Sequence, residues 1–344
     1  MLNEKFILVT GGAGYIGSHT VVELYANGYT PIILDDFRNS NKTAIDGVEI
    51  ITGKKVQFHE IDICDTIQLE QIFQTFKIDG IIHFAAYKAV GESVVEPLKY
   101  YKNNIMGLLN VLELSSKYNV RPFVFSSSCT VYGEPKGLKE VKESTPLSKP
   151  SSPYGNTKLI GEQILNDFFV SQPTAKILNL RYFNPIGAHP SGLIGELPIG
   201  KPNNLLPYIT QTAIGKLQEL VVYGNDYPTK DGSCVRDYIH VCDLAKAHVK
   251  ALNYLENQTQ GLIDAVNIGT GKGKTVLEVI EAFESISGTK LNWKFGPRRA
   301  GDVDEIYANS AKSQELLHWQ ANYSFEDAIK HAWLWENKLN KNEQ

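Results

Sequence analysis

The chain is poor in sulfur. Its 344 residues include four cysteines and two methionines. Cys64, Cys129, Cys234 and Cys242 form no C-x-x-C pair. Their wide, uneven spacing suits neither a disulfide framework nor a zinc site, so they read as four reduced thiols. Long apolar runs are also missing, and no stretch reaches the roughly 18 residues that span a bilayer. Met1 to Lys5 run directly into the first apolar segment and leave no room for a signal peptide, so a cytoplasmic chain is expected. An excess of one charge is absent too. The net charge is -4 and the sequence pI about 6.1, which excludes a protein built to bind nucleic acid or an anionic membrane. No repeat and no low-complexity tract occurs.

What is present is a hydrophobic content of 42%, ample for a large core. Residues 5–10, 31–35, 56–61, 80–84, 122–126 and 176–181 read as short, buried strands. Longer amphipathic runs such as 97–118 and 154–171 alternate with them. That alternation predicts right-handed βαβ crossovers and an α/β fold, a doubly wound parallel (Rossmann) sheet covered by helices on both faces. Ligands then bind at the carboxyl ends of the strands. From about Asn184 the texture changes. Pro185, Gly187, Pro190, Gly192, Gly195 and Pro198 crowd into a segment that reads as a functional loop. A smaller C-terminal α/β lobe is expected beyond it. The division is 1–184 for a dinucleotide-binding domain, with a later segment around 235–260 packing back onto it, and 185–344 for the substrate lobe.

Gly11, Gly14 and Gly17 follow the apolar run Phe6-Ile7-Leu8-Val9 and open a helical stretch. Gly11 permits the tight turn, Gly14 lets a pyrophosphate approach the backbone, and Gly17 allows close packing of helix on sheet. The helix N-terminus, with Tyr15 and Ile16, adds N–H groups and partial positive charge. Strand before and helix after supply the context that a lone glycine motif lacks. The second strand ends in Asp35-Asp36, where a carboxylate accepts hydrogen bonds from ribose and repels a 2′-phosphate. NAD is therefore favoured over NADP. Arg38, close by, reads as a solvated loop cation.

Tyr154 and Lys158 share one helix face. A free tyrosine titrates at about 10. A neighbouring ammonium and a positive nicotinamide ring favour the phenolate, which can then take a proton from a sugar hydroxyl. Ser126-Ser127-Ser128 closes the fifth strand. Ser128 or Thr130 could share that proton, and the same residues equally suit a polar strand-to-loop cap. His240 and His248, with Asp243 between them, read as core or surface, since no third metal ligand has sensible spacing. No metal is expected.

Five segments together resemble the UDP-glucose 4-epimerase family of extended short-chain dehydrogenase/reductases. They are Val9 to His19, Phe125 to Gly133, Ser152 to Lys158, Arg181-Tyr182-Phe183-Asn184-Pro185 and Val235 to Val241. The likeness runs from about residue 5 to residue 335. It implies interconversion of UDP-glucose and UDP-galactose by transient oxidation at C4 with retained NAD, turning of the 4-keto sugar, and hydride return. It implies Tyr154 as base, Lys158 on the ribose hydroxyls, and Ser128 as a helper, with Thr130 on the sugar side. Asp35, Asp62 and Ile63 would meet the adenosine end. Phe84, Ala85, Ala86, Lys88 and Asn103 would line the cofactor. Phe183, Asn184, Asn204 and Leu205 would approach the sugar nucleotide, and Arg236, Arg299 and Asp302 would clamp the UDP. Read as residues alone, Arg298 to Asp302 suits a solvated face as well, and Arg236 suits an ion pair with Asp237. A homodimer built through a helix bundle is the usual assembly of the family.

Departures from the family pattern are Cys129, where alanine is common, and Tyr87, where a smaller aliphatic residue is common. Ile306 is smaller than the tyrosine some members carry, which extends the expectation to UDP-GlcNAc and UDP-GalNAc. A nucleotide-sugar 4,6-dehydratase would need an acid/base pair where Cys129 and Thr130 stand. A non-catalytic NAD-binding sensor would not need Tyr154, Lys158 and Ser128 together. Epimerases of UDP-pentoses or UDP-uronates remain open on the sequence.

Overall fold

The computed structural model describes residues 4–135, 137–299 and 302–342. Met1 to Asn3, and Ala300 and Gly301 of the arginine run, lie outside the described residues.

In the first half each of the first four strands feeds a helix. β1 (Phe6–Thr10) leads to α1 (Tyr15–Ala26), β2 (Thr30–Asp35) to α2 (Lys42–Thr52), and β3 (Gln57–Glu60) to α3 (Thr66–Thr75). Local chemistry sets these boundaries. Asn41 and Asp65 accept backbone N–H groups at the starts of α2 and α3, and Gly53, in the left-handed region, ends α2. β4 (Ile78–His83) is followed by the short α4 (Val90–Val95) and by α5 (Pro97–Lys117), which opens on proline. β5 (Pro122–Ser126) runs into a 3₁₀ turn at Cys129–Tyr132, then the two-residue β6 (Glu140–Val141). Ser152 caps α6 (Pro153–Ser171), and β7 (Lys176–Tyr182) completes this half.

The second half is less regular. β8 (Asn184–Ile186), α7 (Leu205–Ala213), β9 (Leu220–Tyr223) and β10 (Val235–His240) precede α8 (Val241–Glu256). β11 (Leu262–Ile268), β12 (Gly273–Thr275), α9 (Val276–Ser287) and β13 (Trp293–Gly296) follow. β14 (Glu305–Ala308), α10 (Ala311–Leu317) and α11 (Phe325–Asn342) end the described chain.

Seven strands form one parallel sheet in the order β11-β7-β5-β4-β1-β2-β3. Successive side chains point to opposite faces. Ile7 and Val9 therefore pack with α1 and α8 on one side, and Leu8 packs with α3, α5 and α6 on the other. This is the doubly wound arrangement. β11, which the division at residue 185 leaves in the second lobe, is an edge strand of this sheet, paired with β7 along its whole length. The smaller α/β lobe has its own core of Leu206, Ile209, Val222, Ile280, Phe283 and Ile329. The proline- and glycine-rich segment is not loop throughout. Asn184–Ile186 forms β8, because Tyr238, Ile239 and His240 of β10 offer it a parallel partner. Among the described residues no helix is long and apolar enough to cross a membrane.

Candidate active site

The glycine loop is held by backbone contacts. Gly11 has φ +71°, and a Cβ there would lie 2.7 Å from the Ala85 nitrogen. At Gly17 a Cβ would stand 2.3 Å from the Gly11 carbonyl oxygen. A Cβ at Gly14 would meet one protein atom, that same oxygen at 3.1 Å, and otherwise faces open space. Gly11 and Gly17 are thus packing glycines, and Gly14 leaves room for a ligand. Asp35 supports the loop, accepting from Ala13 N, Phe37 N and the Ser40 hydroxyl. Burial raises its pKa. Phe84 N and Ala85 N both donate to Thr10 O, which draws the loop after β4 against the glycines.

Among the residues expected at the adenosine end, Gly107 of α5 admits Ile63, whose Cδ1 lies 2.3 Å from where a Cβ would be. The Asn110 amide donates to the Ile63 carbonyl at 3.0 Å. Asp62 pairs with Arg38, which is also paired with Asp36, so Arg38 is an exposed loop cation, as the sequence suggested, but one held in ion pairs. Asn103 donates to Asn104, and Asn104 joins the Tyr87 backbone to Thr157 of α6. Asn104 went unread in the sequence. Its only signal was a polar residue within the apolar stripe of α5.

The proton-handling groups converge at the end of β5. Tyr154 and Lys158 lie in the first turns of α6. Lys158 is buried and donates to the Ser126 carbonyl at 2.6 Å, and burial lowers its pKa to about 7. Burial pushes the Tyr154 phenol well above its ordinary range, with a hydrogen bond to Ser128 opposing the shift. The lowered phenol pKa expected from the sequence is therefore not a property of the protein alone. Burial outweighs the favourable contacts, and the positive nicotinamide ring is not part of the protein. Ser128 serves both readings, since its oxygen also accepts Thr130 N at 3.2 Å. The Thr130 hydroxyl lies beside Gly155, is buried, and has no hydrogen-bond partner among the described residues. A buried hydroxyl without a partner costs free energy that a ligand can recover.

A buried network fixes this serine segment. Glu162 of α6 accepts from Ser127 at 2.5 Å and holds Arg181 through its Nε and one Nη. Arg181 also reaches the Tyr132 hydroxyl, which donates to Asn267. Cys129 is a free thiol with its pKa raised to about 12 by burial, and the other three cysteines are also free.

On the opposing lobe, Asp302 lies between Arg236 and Arg299, at 3.5 Å and 3.0 Å. Arg236 also donates to the Val235 and Val303 carbonyls. It does not pair with Asp237, which faces the other side of β10 and accepts from Thr270, Gly271 and Ala308. Ile306, the register partner of Arg236, is buried with Phe183, Val131 and Tyr132. Asn184 pairs with Tyr238 across β8 and β10. Asn204, ahead of α7 and its first residue Leu205, donates to Glu196 at 2.6 Å. Glu196 also accepts from Lys88 at 2.8 Å, so a residue not read in the sequence joins the lysine expected at the cofactor to the asparagine expected at the substrate. The Tyr15 hydroxyl donates to Gly187 O, tying α1 to the same loop, and Ile16 packs on the core below. His240 bonds His331, and His248 is buried beside Phe84. Among the described residues no group of His, Cys, Asp and Glu is arranged to hold a metal.

The glycine cradle, the carboxylate at the end of β2 and the unpartnered Thr130 hydroxyl fit a dinucleotide with a polar substrate beside it. Known proteins agree. The profile of the family described as GDP-mannose 4,6 dehydratase matches residues 8–332. A UDP-glucose 4-epimerase of Dictyostelium discoideum is 52% identical over 336 residues, 98% of this chain and 96% of the relative. The solved UDP-glucose 4-epimerase of Bifidobacterium longum, in complex with NAD+ and UDP, superposes with a TM-score of 0.94 at 46% identity, covering 99% of this chain and 100% of that one. The epimerase of Stenotrophomonas maltophila, with NAD and formylated UDP-arabinopyranose, gives 0.94 at 43% identity, covering 98% and 100%.

Proposed function

The chain belongs to the extended short-chain dehydrogenase/reductase family matched by the GDP-mannose 4,6 dehydratase profile and, within it, to the UDP-glucose 4-epimerases, and we propose that the residues gathered at the strand ends carry its reaction. The enzyme is an isomerase that interconverts UDP-glucose and UDP-galactose with NAD as cofactor. Within that family, the observation that supports the residue assignment is the Tyr154–Ser128 pair beside the Thr130 hydroxyl, which has no hydrogen-bond partner among the described residues.

Bound NAD supplies the hydride acceptor and donor for C4 of the sugar. Gly11, Gly14 and Gly17, with Asp35, Asp62 and Ile63, would hold its adenosine and pyrophosphate, and Phe84, Ala85, Ala86, Lys88 and Asn103 its nicotinamide half. Tyr154 takes the 4-hydroxyl proton and later returns it, with Ser128 hydrogen-bonded to the phenol and Thr130 within the same wall. Lys158, fixed by the Ser126 carbonyl, sits behind Tyr154 to meet the nicotinamide ribose. Arg236 and Arg299, sharing Asp302, grip the diphosphate, so the sugar can turn while the nucleotide stays. Cys129 and Thr130 stand where dehydration would need an acid/base pair, and neither side chain can eliminate the 6-hydroxyl.

Residues 1–184, with α8 and β11, form the proposed NAD-binding unit, and the remainder of 185–344 the proposed UDP-sugar lobe. Leu98, Met106 and Leu109 lie exposed along one side of α5 and suit a homodimer joined through its helices. The four free thiols suit a reducing, cytoplasmic location. Ile306, small and buried beside Phe183, favours N-acetylated UDP-hexoses as further substrates.

Incubating the purified protein with UDP-galactose and no added NAD tests the assignment. Formation of UDP-glucose is expected, and UDP-GlcNAc run in parallel should give UDP-GalNAc. No conversion of UDP-galactose, even with NAD supplied, would redirect the reading to another UDP-sugar such as a UDP-pentose.

A further inference from the structure

We propose that Arg38 and Tyr87 form a clasp across the adenosine end of the cleft that sets how slowly NAD leaves the protein. The inference rests on NAD binding over the glycine loop. Strand order gives the reason for a clasp. β1 lies between β4 and β2, so the loop Gly11–Gly14 at its end is flanked by the loops after β2 and after β4. Strands are spaced about 4.8 Å apart, so those flanking loops stand about 10 Å from each other with the pyrophosphate position between them. Short side chains cannot cross that gap. A long cation and a tyrosine can.

Both members are built to reach inward. Phe37 adopts φ +57°, a conformation non-glycine residues rarely take, and it is held there by its N–H bond to Asp35 and by stacking on Phe58 at 4.8 Å. That turn directs Arg38, the next residue, back across the cleft. Arg38 pairs with Asp36 at 3.0 Å and with Asp62 after β3, and its other arm donates to the Tyr87 hydroxyl at 3.4 Å. Tyr87 is anchored from the far side. Its backbone N–H and carbonyl both bond the Asn104 amide, its ring lies 5.6 Å from that of Tyr100, and the Lys99 ammonium sits 4.6 Å over its face. Only the hydroxyl extends toward Arg38. Loops from β2, β3 and β4 are thereby joined through one guanidinium, above the place where a dinucleotide would lie. With two carboxylates already on it, Arg38 is occupied as an anion acceptor, which also disfavours a 2′-phosphate. A catalytic cycle that cannot lose its reduced cofactor gives such a clasp a use.

The test measures NAD per chain as purified, and the rate at which NAD appears in solution after gel filtration, read with an auxiliary NAD-dependent dehydrogenase. Arg38→Met keeps the stem and removes the fork. It should release NAD about tenfold faster or more, the change that follows loss of a charge-assisted bond. Tyr87→Phe removes only the hydroxyl, leaves the ring packing in place, and should accelerate release a few-fold. Because Tyr87 acts through Arg38, the double variant should release no faster than Arg38→Met alone. Arg38→Lys, which keeps the charge without the fork, should fall between. Release at the parental rate in both single variants would overturn the clasp while leaving the NAD site standing. A parent protein that holds no NAD at all would overturn both.

Discussion

The two sides of the cleft are made of different material. The cofactor side is made of backbone. Gly11 N donates to the Leu34 carbonyl, Phe84 and Ala85 donate to Thr10, and a Cβ at Gly17 would strike a carbonyl oxygen. The proposed sugar-nucleotide side is made of side chains. Arg236 of β10 and Arg299, before β14, both reach Asp302. A backbone cradle either fits or fails. A side-chain clamp can be weakened by degrees, as suits an enzyme that must hold its cofactor through every turnover and exchange its nucleotide sugar after each one.

Tyr154 lies where the two sides meet, and its loss should have the largest effect. Tyr154→Phe should lower turnover about thousandfold, the scale of a lost general base. NAD per chain should stay at the parental level. Turnover surviving in this variant would separate the proton chemistry from Tyr154. The next effect tests the cradle itself. Gly17→Ala drives a methyl to within 2.3 Å of Gly11 O, where neither helix nor strand can yield, and should destabilise the fold by about 3 kcal/mol. Gly14→Ala meets protein only at 3.1 Å and should keep its thermal midpoint while losing copurified NAD. If both variants lose the same property, the division between packing and ligand-facing glycines is wrong.

The same contrast explains what could be read without coordinates. A backbone cradle demands glycine, and the strand–glycine–helix order made residues 6–26 legible from physics alone. The alternation of apolar strands with amphipathic helices did the same for the sheet. Tyr154 and Lys158 were legible because their spacing puts them on one helix face. The pKa of Tyr154 was not, because it depends on burial first and then on the charges of Tyr182, Cys129 and Tyr100, which come from three other segments. Side-chain partners over long separations were equally hidden. Arg236 stands next to Asp237 in sequence, yet the strand alternation sends them apart and Arg236 finds Asp302. Glu196 and Asn104 carry no motif, and only the fold shows that each joins two parts of the site.

The clamp should respond to mutation in a graded way. Asp302→Asn keeps the shape of the side chain and removes the charge shared by Arg236 and Arg299. Two effects then oppose each other, since the arginines lose their orientation but gain unpaired charge for a diphosphate. Arg236 retains its bonds to the Val235 and Val303 carbonyls, whereas Arg299 is half exposed and has Asp302 as its only hydrogen-bond partner among the described residues. Orientation should dominate. The KM for UDP-galactose should rise about tenfold with a smaller change in kcat, the signature of lost uniform binding. A fall in kcat with KM unchanged would instead place Asp302 in the chemical step and dissolve the contrast between the two sides.

The smallest effect sharpens the contrast in a different quantity, stability against pH. Arg236 and Arg299 have Asp302 to balance them, but Lys158 is buried against the Ser126 carbonyl and the Phe125 ring with no ion-pair partner among the described residues, and its folded pKa is lowered from 10.5 to about 7. Between those two values the unfolded chain carries the proton and the folded chain does not. Stability therefore rises with pH across that window. Below about 7 both forms carry the proton, the full cost of burying the ammonium applies, and the slope from this group vanishes. The contribution is at most about 1.4 kcal/mol per pH unit, and other groups titrate over it. Comparison with Lys158→Met isolates it, because the methionine fills the same space without a charge. In NAD-free protein the variant should melt several degrees above the parent at pH 7, and the two should approach each other by pH 9.5. A gap that stays constant with pH would mean that Lys158 keeps its proton in the folded protein and that the Ser126 carbonyl and the Phe125 ring satisfy its ammonium better than burial alone implies.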